Sequence, residues 1–318
     1  MVIHVGFIGA GAHANRVHYP SIVSIDSAEI AAICDLNEEK LRATAEKYKV
    51  ERTYTNYLDM IEKEELDCVY IIMPPHQLYS CVVDSLKAGL NVFIEKPPGI
   101  TLNQTKSLAW YAKKYSCLTM VGFNRRFIPI MRKVRNMMLR RGDIDVCVAS
   151  FHKNRIRDEP PYYQGIVDIL TCDGIHAVDT LRWMSGGEAV NVKCFIHRKY
   201  VPYENQFYSI MEFSNDCIGV LMCNWAAGGR IHIFEMHAKG VSALIDPEKE
   251  ALIYKDGDLE RLDPYEVASS KDFYIYYGFL AENEHFIKCI SKGEMPETSF
   301  HDAVKTMSLV DTILHSYL

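Results

Sequence analysis

The chain has 318 residues, of which 48% are hydrophobic and 24% charged, with a formal net charge of −6 and a pI near 6.1. This composition excludes a disordered, collagen-like or disulfide-scaffold protein. The net negative charge provides no electrostatic basis for binding nucleic acid or an anionic membrane, so we expect a small-molecule partner.

Strand-like and helix-like segments alternate through the first 120 residues. Apolar runs typical of buried strands lie at 2–8, 30–34, 68–73 and 92–94, and helical patterns lie between them at 37–48, 57–64 and 78–88. A helix at 102–115 and a strand at 119–123 follow. Strict strand–helix alternation predicts a parallel sheet with right-handed crossovers, that is, an α/β fold with a Rossmann dinucleotide-binding domain over residues 1–121.

The pattern changes after residue 121. Strands are predicted at 146–151, 190–197, 206–213, 218–225, 231–238 and 243–245, and helices at 129–141, 167–184, 279–291 and 300–316. Short turns such as Asp256-Gly257 predict antiparallel pairing of consecutive strands. We therefore expect residues 122–318 to form an α+β domain with an open, mostly antiparallel sheet, for substrate binding and oligomerisation. Its terminal helix is expected to be able to pack back on the first domain.

A glycine motif directly follows the first strand and begins a helix: Gly9-Ala10-Gly11-Ala12-His13-Ala14. In a dinucleotide fold Gly9 makes the tight turn and Gly11 lets the backbone approach the pyrophosphate. Asp35 ends the second strand, where a carboxylate accepts ribose hydroxyls and repels a 2′-phosphate. Ala14 in the third motif position favours NADP, but no arginine follows Asp35, so NAD is favoured over NADP.

A charged pair, Glu95-Lys96, ends the fourth strand and is followed by two prolines. Ligands of open α/β sheets bind at this carboxyl edge. Because the prolines restrict the backbone, we expect the two side chains to be held facing the cofactor.

In order and spacing, these motifs and later ones resemble the Gfo/Idh/MocA family of nicotinamide-dependent oxidoreductases, over the whole chain. The markers are Gly9-Ala-Gly11, Arg16-Val-His18-Tyr-Pro20, Asp35, Met73-Pro74-Pro75-His76, Lys87-Ala-Gly89 through Glu95-Lys96-Pro97, Val121-Gly-Phe-Asn124-Arg125-Arg126-Phe127, Gly174-Ile-His176-Ala-Val-Asp179-Thr-Leu-Arg182-Trp183 and Glu284-His-Phe286.

The resemblance implies hydride transfer between NAD(P) and a carbon that bears a hydroxyl or carbonyl group, with Lys96 on the substrate hydroxyl and nicotinamide and His176 as acid/base. Imidazole suits that proton transfer, and a lysine stabilises a developing alkoxide. We expect Lys96 and His176 to meet across the cleft between the domains. The expected cofactor-binding residues are Gly9, Gly11, Ala12, His13, Asp35, Pro74, His76, Glu95, Lys96, Asn124 and Arg125.

One position departs from the family pattern. An aspartate is common four residues before the histidine, and here that residue is Cys172, followed by Asp173. Asp173, His176 and Asp179 share one helix stripe, so either carboxylate is a candidate to orient the imidazole. Asp173 is the one we predict as catalytic.

A basic-rich stretch leads into a segment, 158–163, that resembles the variable substrate loop of the family. Its arginines suit a phosphate or carboxylate on the substrate. The expected substrate-binding residues are Lys96, Arg126, Arg155, Asp173 and His176.

Dispersed cysteines without metal spacing and a short apolar start predict a cytoplasmic protein with no metal site. The leading hypothesis is an NAD-dependent dehydrogenase of a sugar, sugar derivative or cyclitol. The alternatives are an NAD-cycling eliminase or glycosidase and a cofactor-binding sensor without catalysis. A homodimer or homotetramer is expected, with no nucleic acid or membrane partner; the substrate, reaction direction and oligomer size stay open.

Overall fold

The computed structural model describes residues 2–156 and 161–316. Within them the chain forms two compact units, one built from the residues up to Asn124 together with Asp272–Val304, the other from Arg125–Lys271 together with the residues from Lys305 onward. The first division lies close to the sequence boundary at 121. Residues 272–304, however, belong to the first unit, whereas the sequence analysis assigned them to the second domain.

Fourteen strands are described: β1 (Ile3–Ile8), β2 (Ala28–Cys34), β3 (Thr53–Tyr54), β4 (Cys68–Ile71), β5 (Asn91–Glu95), β6 (Thr119–Gly122), β7 (Ile144–Asn154), β8 (Ala189–His197), β9 (Gln206–Phe213), β10 (Ile218–Asn224), β11 (Ala226–Ala238), β12 (Val241–Asp246), β13 (Glu250–Lys255) and β14 (Asp258–Leu262).

The regular α-helices among the described residues are α1 (Tyr19–Val23), α2 (Glu38–Tyr48), α3 (Tyr57–Lys63), α4 (Leu78–Lys87), α5 (Leu102–Lys114), α6 (Pro129–Leu139), α7 (Ile175–Ser185), α8 (Pro264–Ala268), α9 (Phe273–Tyr276), α10 (Phe279–Lys292) and α11 (Phe300–His315). A short, irregular helical segment lies at Pro161–Gln164, where Tyr162 and Tyr163 have positive φ. A π-helical turn, Ala14–His18, leads into α1, and another, Leu170–Gly174, leads into α7.

The first unit contains a six-stranded sheet in the order β3-β2-β1-β4-β5-β6, in which every pair is parallel. The predicted Rossmann sheet is thus confirmed, with the strand order reversing between β1 and β4, where such sheets bind ligands. Phe7, Tyr70 and Phe93 on β1, β4 and β5 are fully buried; the rings of Tyr70 and Phe93 stack, and Phe7 packs against Tyr70 at a tilt of 31°. β3 was missed because two residues carry no hydrophobic pattern.

Residues 272–304 join this unit through aromatic and polar contacts. The guanidinium of Arg16 lies 4.0 Å from the centre of the Phe273 ring. Asn283 on α10 contacts Nδ1 of His18 at 3.3 Å, and the backbone N–H of Val121 donates to the Thr298 carbonyl at 2.8 Å. Sequence order placed this segment after the second sheet, but its apolar face packs on the first.

The second unit contains an eight-stranded sheet in the order β14-β13-β12-β11-β7-β10-β9-β8. The predicted mostly antiparallel sheet is confirmed, with one parallel pair, β7 and β10. The turn between β10 and β11 does not make them neighbours, because the long strand β7 lies between them and pairs with both. β13 and β14, which the sequence analysis did not predict, are joined at Asp256 and Gly257, both with positive φ, as a tight hairpin requires.

The two faces of this sheet differ. Helix α7 packs on β7 and β10 and covers one face, which carries Phe151 and Phe207. The other face leaves Phe195 and Ile210 largely exposed. Over residues 2–156 and 161–316, no helix combines the length and apolar character needed to cross a membrane.

Candidate cofactor and substrate sites

A cavity of about 690 Å³ lies in the first unit beside the ends of β1, β2 and β4. Its lining residues include Gly9, Gly11, Asp35, Leu36, Lys40, Asn56, Tyr57, Met73, Pro74 and Gln77. Gly9 has φ +118°, and a Cβ there would lie 2.2 Å from the Ile72 carbonyl oxygen. Around Gly11 a Cβ would meet no atom within 4 Å. The first glycine therefore makes a close backbone approach and the second leaves open space, which fits a bound pyrophosphate.

Asp35 is fixed in the wall of this cavity by two backbone N–H groups. Ala10 donates to Oδ2 at 2.7 Å and Asn37 donates to Oδ1 at 2.8 Å. A carboxylate has four lone-pair positions, so acceptor capacity remains for ribose hydroxyls. The next residue, Leu36, is 89% exposed and carries no charge. Lys40 also lines the cavity, a cation that the sequence analysis did not consider.

Other predicted cofactor residues lie around this cavity or serve the fold. Ala12 and His13 begin the helix after Gly11, and Pro74 lines the cavity wall, with the half-buried His76 two residues on. Asn124 is buried, and its amide donates to the Tyr277 carbonyl at 2.8 Å. That bond ties the end of β6 to the segment before α10.

Glu95 is held by two histidines. Oε1 contacts Nε2 of His13 at 3.0 Å and Nε2 of His18 at 2.9 Å. Burial by itself raises the pKa of the Glu95 carboxyl, but the charges and hydrogen bonds of the two imidazoles prevail and hold that pKa well below its usual range. Burial lowers the pKa of His18, against the opposing effect of Glu95. The backbone N–H of Lys96 donates to the other Glu95 oxygen at 3.2 Å.

These three side chains also meet the spacing of a metal site, with ligand atoms within 4.8 Å of one another. Both imidazole nitrogens, however, contact one carboxylate oxygen at hydrogen-bond distance, which fits a clamp that fixes Glu95 and the adjoining Lys96. His18 was absent from the predicted site, although the Arg16-Val-His18 motif marked its position.

In the second unit, His176 lies in the first turn of α7 and is 6% exposed. Asp173, in the preceding turn, is equally buried and accepts hydrogen bonds from the Lys153 ammonium and the Tyr162 hydroxyl. Burial first, and then Asp173, raises the pKa of Tyr162, so the phenol keeps its proton. The Trp225 indole donates to the same Tyr162 oxygen at 2.9 Å. The role of Asp173 beside His176 stays a prediction.

Asp179, the other candidate to orient His176, is engaged with Arg126. Nε and Nη2 of Arg126 donate to the two carboxylate oxygens at 2.7 and 2.5 Å, and the Thr306 hydroxyl donates at 2.8 Å. Both partners of this ion pair are buried. Its geometry is structural in character, and a substrate contact for Arg126 stays a prediction.

The remaining predicted residues fall at the edge of this cluster or beyond it. The Arg125 guanidinium lies 5.2 Å from the centre of the Phe151 ring. Arg155 is exposed, and its backbone N–H donates to the Trp225 carbonyl at 2.8 Å. Residues 158–160 of the predicted substrate loop, and Arg157 just before it, lie outside the described residues. Asp168 caps the helix after it, accepting from the Thr171 N–H at 2.8 Å.

Two protein-family models together match most of the chain. Residues 3–123 match the family described as "Oxidoreductase family, NAD-binding Rossmann fold", and residues 140–240 match the GFO/IDH/MocA C-terminal domain. The uncharacterized oxidoreductase YrbE of Bacillus subtilis is 26% identical over 60% of this chain, and the chain spans only 56% of YrbE. The myo-inositol 2-dehydrogenase of Thermotoga maritima is 24% identical over 96% of this chain and 94% of its own.

A solved structure shares the fold over nearly the full length of both chains. Levoglucosan dehydrogenase in complex with NADH and L-sorbose superposes with a TM-score of 0.86, covering 99% of this chain and 97% of that one at 19% identity. The match to the Rossmann-fold family lies within the first unit, and the match to the C-terminal domain lies within the second. The chain therefore belongs to the Gfo/Idh/MocA family of oxidoreductases, with an NAD-binding Rossmann domain.

Proposed function

We propose that the protein is an NAD-dependent dehydrogenase that oxidises a CH–OH group of a sugar, sugar derivative or cyclitol, or reduces the matching carbonyl. The observation that carries this proposal is that one chain contains both a site suited to a dinucleotide and buried residues suited to acid–base chemistry. One unit has a glycine-lined cavity with a fixed Asp35, and it also holds Lys96 next to the clamped Glu95. The other unit has the buried His176 three residues after Asp173, which Lys153 and Tyr162 hold. The named activities of the inositol and levoglucosan relatives support the same class of substrate.

The cofactor side rests on three residues. Gly9 and Gly11 would hold the pyrophosphate, and Asp35 would accept the adenosine ribose hydroxyls. Because Asp35 carries a negative charge, it disfavours a 2′-phosphate there. When bound, NAD accepts the hydride of the carbinol carbon.

The acid–base side rests on Lys96 and His176, which we propose to act on one substrate hydroxyl. His176 takes the hydroxyl proton in oxidation and returns it in reduction. The Lys96 ammonium stabilises the negative charge that develops on the oxygen, and the Glu95 clamp limits the positions that Lys96 can take. Lys153 and Tyr162 hold the Asp173 carboxylate in place by hydrogen bonds.

The test is NADH formation with a panel of myo-inositol, levoglucosan, L-sorbose and phosphorylated sugars, with products identified by mass spectrometry. Replacing Lys96 by Met or His176 by Ala is expected to lower kcat by about 10²-fold or more while NAD binding is retained, since both groups act mainly in the transition state. Lys106→Met, on the exposed face of α5, is the matched control. No turnover with any panel member, or full activity of His176→Ala, contradicts the proposal.

We further propose that the exposed face of the second sheet pairs with another copy of the chain. Phe195 and Ile210 are 70% and 61% exposed, and Ile231 on β11 is 45% exposed. Ile210 is paired with Val220, which extends the apolar face across β9 and β10. A continuous apolar sheet face of this kind is typical of a protein–protein contact. Light scattering that shows a monomer at micromolar concentration contradicts this.

A further inference from the structure

One buried histidine in the second unit has no role in the chemistry described above. His232 on β11 is 4% exposed. Among residues 2–156 and 161–316, neither of its ring nitrogens has a hydrogen-bond partner. A buried polar atom without a partner destabilises a fold, and two in one side chain call for an explanation.

His232 lies beside the cluster that contains Asp173. Its ring stacks on Phe151, with centroids 3.7 Å apart and an angle of 13° between the planes. The same Phe151 ring has the Arg125 guanidinium at 5.2 Å and the Lys153 ammonium at 5.4 Å. Lys153 in turn contacts Asp173, three residues before His176.

The sheet register places these groups on the face that α7 covers. His232 pairs with Phe151, and Phe151 pairs with Cys223 on β10, so the three side chains point the same way. Gly174, between Asp173 and His176, lies against Trp225 just after β10, where a Cβ would be 3.4 Å from the indole. The beginning of α7 and the row that contains His232 therefore belong to one region of the unit.

The surroundings of His232 keep its imidazole neutral. Burial lowers its pKa most strongly, and Arg125, Arg230 and Lys153 lower it further, against a smaller opposing effect of Asp173. A neutral imidazole offers one donor and one acceptor. The two ring nitrogens point away from each other, so one ligand group can reach only one of them. A hydroxyl group fits at either nitrogen, because it accepts from the N–H or donates to the bare nitrogen, whereas a carboxylate or phosphate can only accept. A ligand that carries hydroxyl groups therefore suits a neutral imidazole better than an anionic one.

From this we infer that His232 is a specificity-determining residue that binds a hydroxyl group of the substrate other than the one oxidised. This inference rests on the proposed function and deepens it. It predicts that the part of the substrate near β11 carries hydroxyl groups and no charged group. It also predicts a substrate contact that the family markers of this sequence do not contain.

The test is a double-mutant-type cycle, in which protein variants are combined with substrate analogues that each lack one hydroxyl group. The panel member with the highest kcat/KM and its monodeoxy analogues are measured with the wild-type protein, His232→Phe, His232→Gln and the control His237→Phe. His237 is on the same strand but in the alternate register, so its side chain lies on the other face. Phe keeps the ring on Phe151 and removes both nitrogens, whereas Gln keeps a donor and an acceptor.

With the wild-type protein and His237→Phe, one deoxy analogue is expected to lose at least about 10-fold in kcat/KM. In His232→Phe the ratio of kcat/KM for the parent compound to kcat/KM for that deoxy analogue is expected to fall to about 1, mainly through a higher KM for the parent compound. His232→Gln is expected to restore part of this ratio. An unchanged ratio in His232→Phe, with all compounds affected equally, overturns the assignment and indicates a structural role or a buried water. If the wild-type protein oxidises no polyol, the proposed function fails, and the assignment fails with it.

Discussion

The buried ion pair between Arg126 and Asp179 provides the sharpest test of how the second unit is held together. Side-chain exposure is 7% for Arg126 and 1% for Asp179, and two hydrogen bonds of 2.7 and 2.5 Å join them. Replacing Arg126 by Met removes the cation and leaves a buried carboxylate.

The expected cost follows from what remains around Asp179. Removing one partner of a buried pair destabilises a protein by about 3–5 kcal/mol. The Thr306 hydroxyl still donates at 2.8 Å and Arg182 stays 4.0 Å away, so we expect the lower end, about 3 kcal/mol. For 318 residues that unfold together, this corresponds to a fall in Tm of roughly 4–5 °C.

Thermal and urea unfolding followed by circular dichroism measure this loss. The control is Arg261→Met, which breaks an ion pair whose side chains are 61% and 47% exposed and is expected to cost less than about 1 kcal/mol. If Arg126→Met is as stable as the control but raises KM for substrate at least 10-fold, Arg126 is a substrate ligand and the structural reasoning is wrong.

Four further outcomes are expected. Asp35→Ser combined with Leu36→Arg should strengthen NADP binding by roughly 1–3 kcal/mol in titration calorimetry, and a wild-type preference for NADP would refute the role of Asp35. Gly9→Ala, with φ +118° and a Cβ 2.2 Å from a carbonyl oxygen, should abolish NAD binding and lower Tm; unchanged binding counts against the cavity as the cofactor site. The folded-state pKa of His232 is lowered, so the proton-linked part of its destabilisation is small above pH 6.5 and grows as pH falls. Between pH 7.5 and 5.5 the stability of His232→Phe should therefore rise by about 1.4 kcal/mol relative to wild type in urea unfolding, and a constant difference would refute the buried neutral state. Ile210→Glu should convert an oligomer to monomers in light scattering, with the fold intact by circular dichroism; an unchanged oligomer excludes that face.

Much of the first unit was predictable because its signals are local. A buried parallel strand reads as a continuous apolar run, and the glycines of the cofactor motif are needed by the backbone at their own positions, as the φ of Gly9 shows. β9 was predicted to the residue, Gln206–Phe213, because one buried face imposes strict alternation. Order and spacing of the motifs were enough to identify the family.

Only the tertiary structure decided the partners of the charged and polar side chains. Sequence placed Asp173, His176 and Asp179 on one helical stripe, but Lys153, Tyr162 and Arg126, from other elements, engage the two carboxylates. Likewise β7 came to lie between β10 and β11, and α10 joined the first unit. Such pairings depend on long-range packing and charge neutralisation in a buried environment, and neither leaves a periodic pattern in the chain.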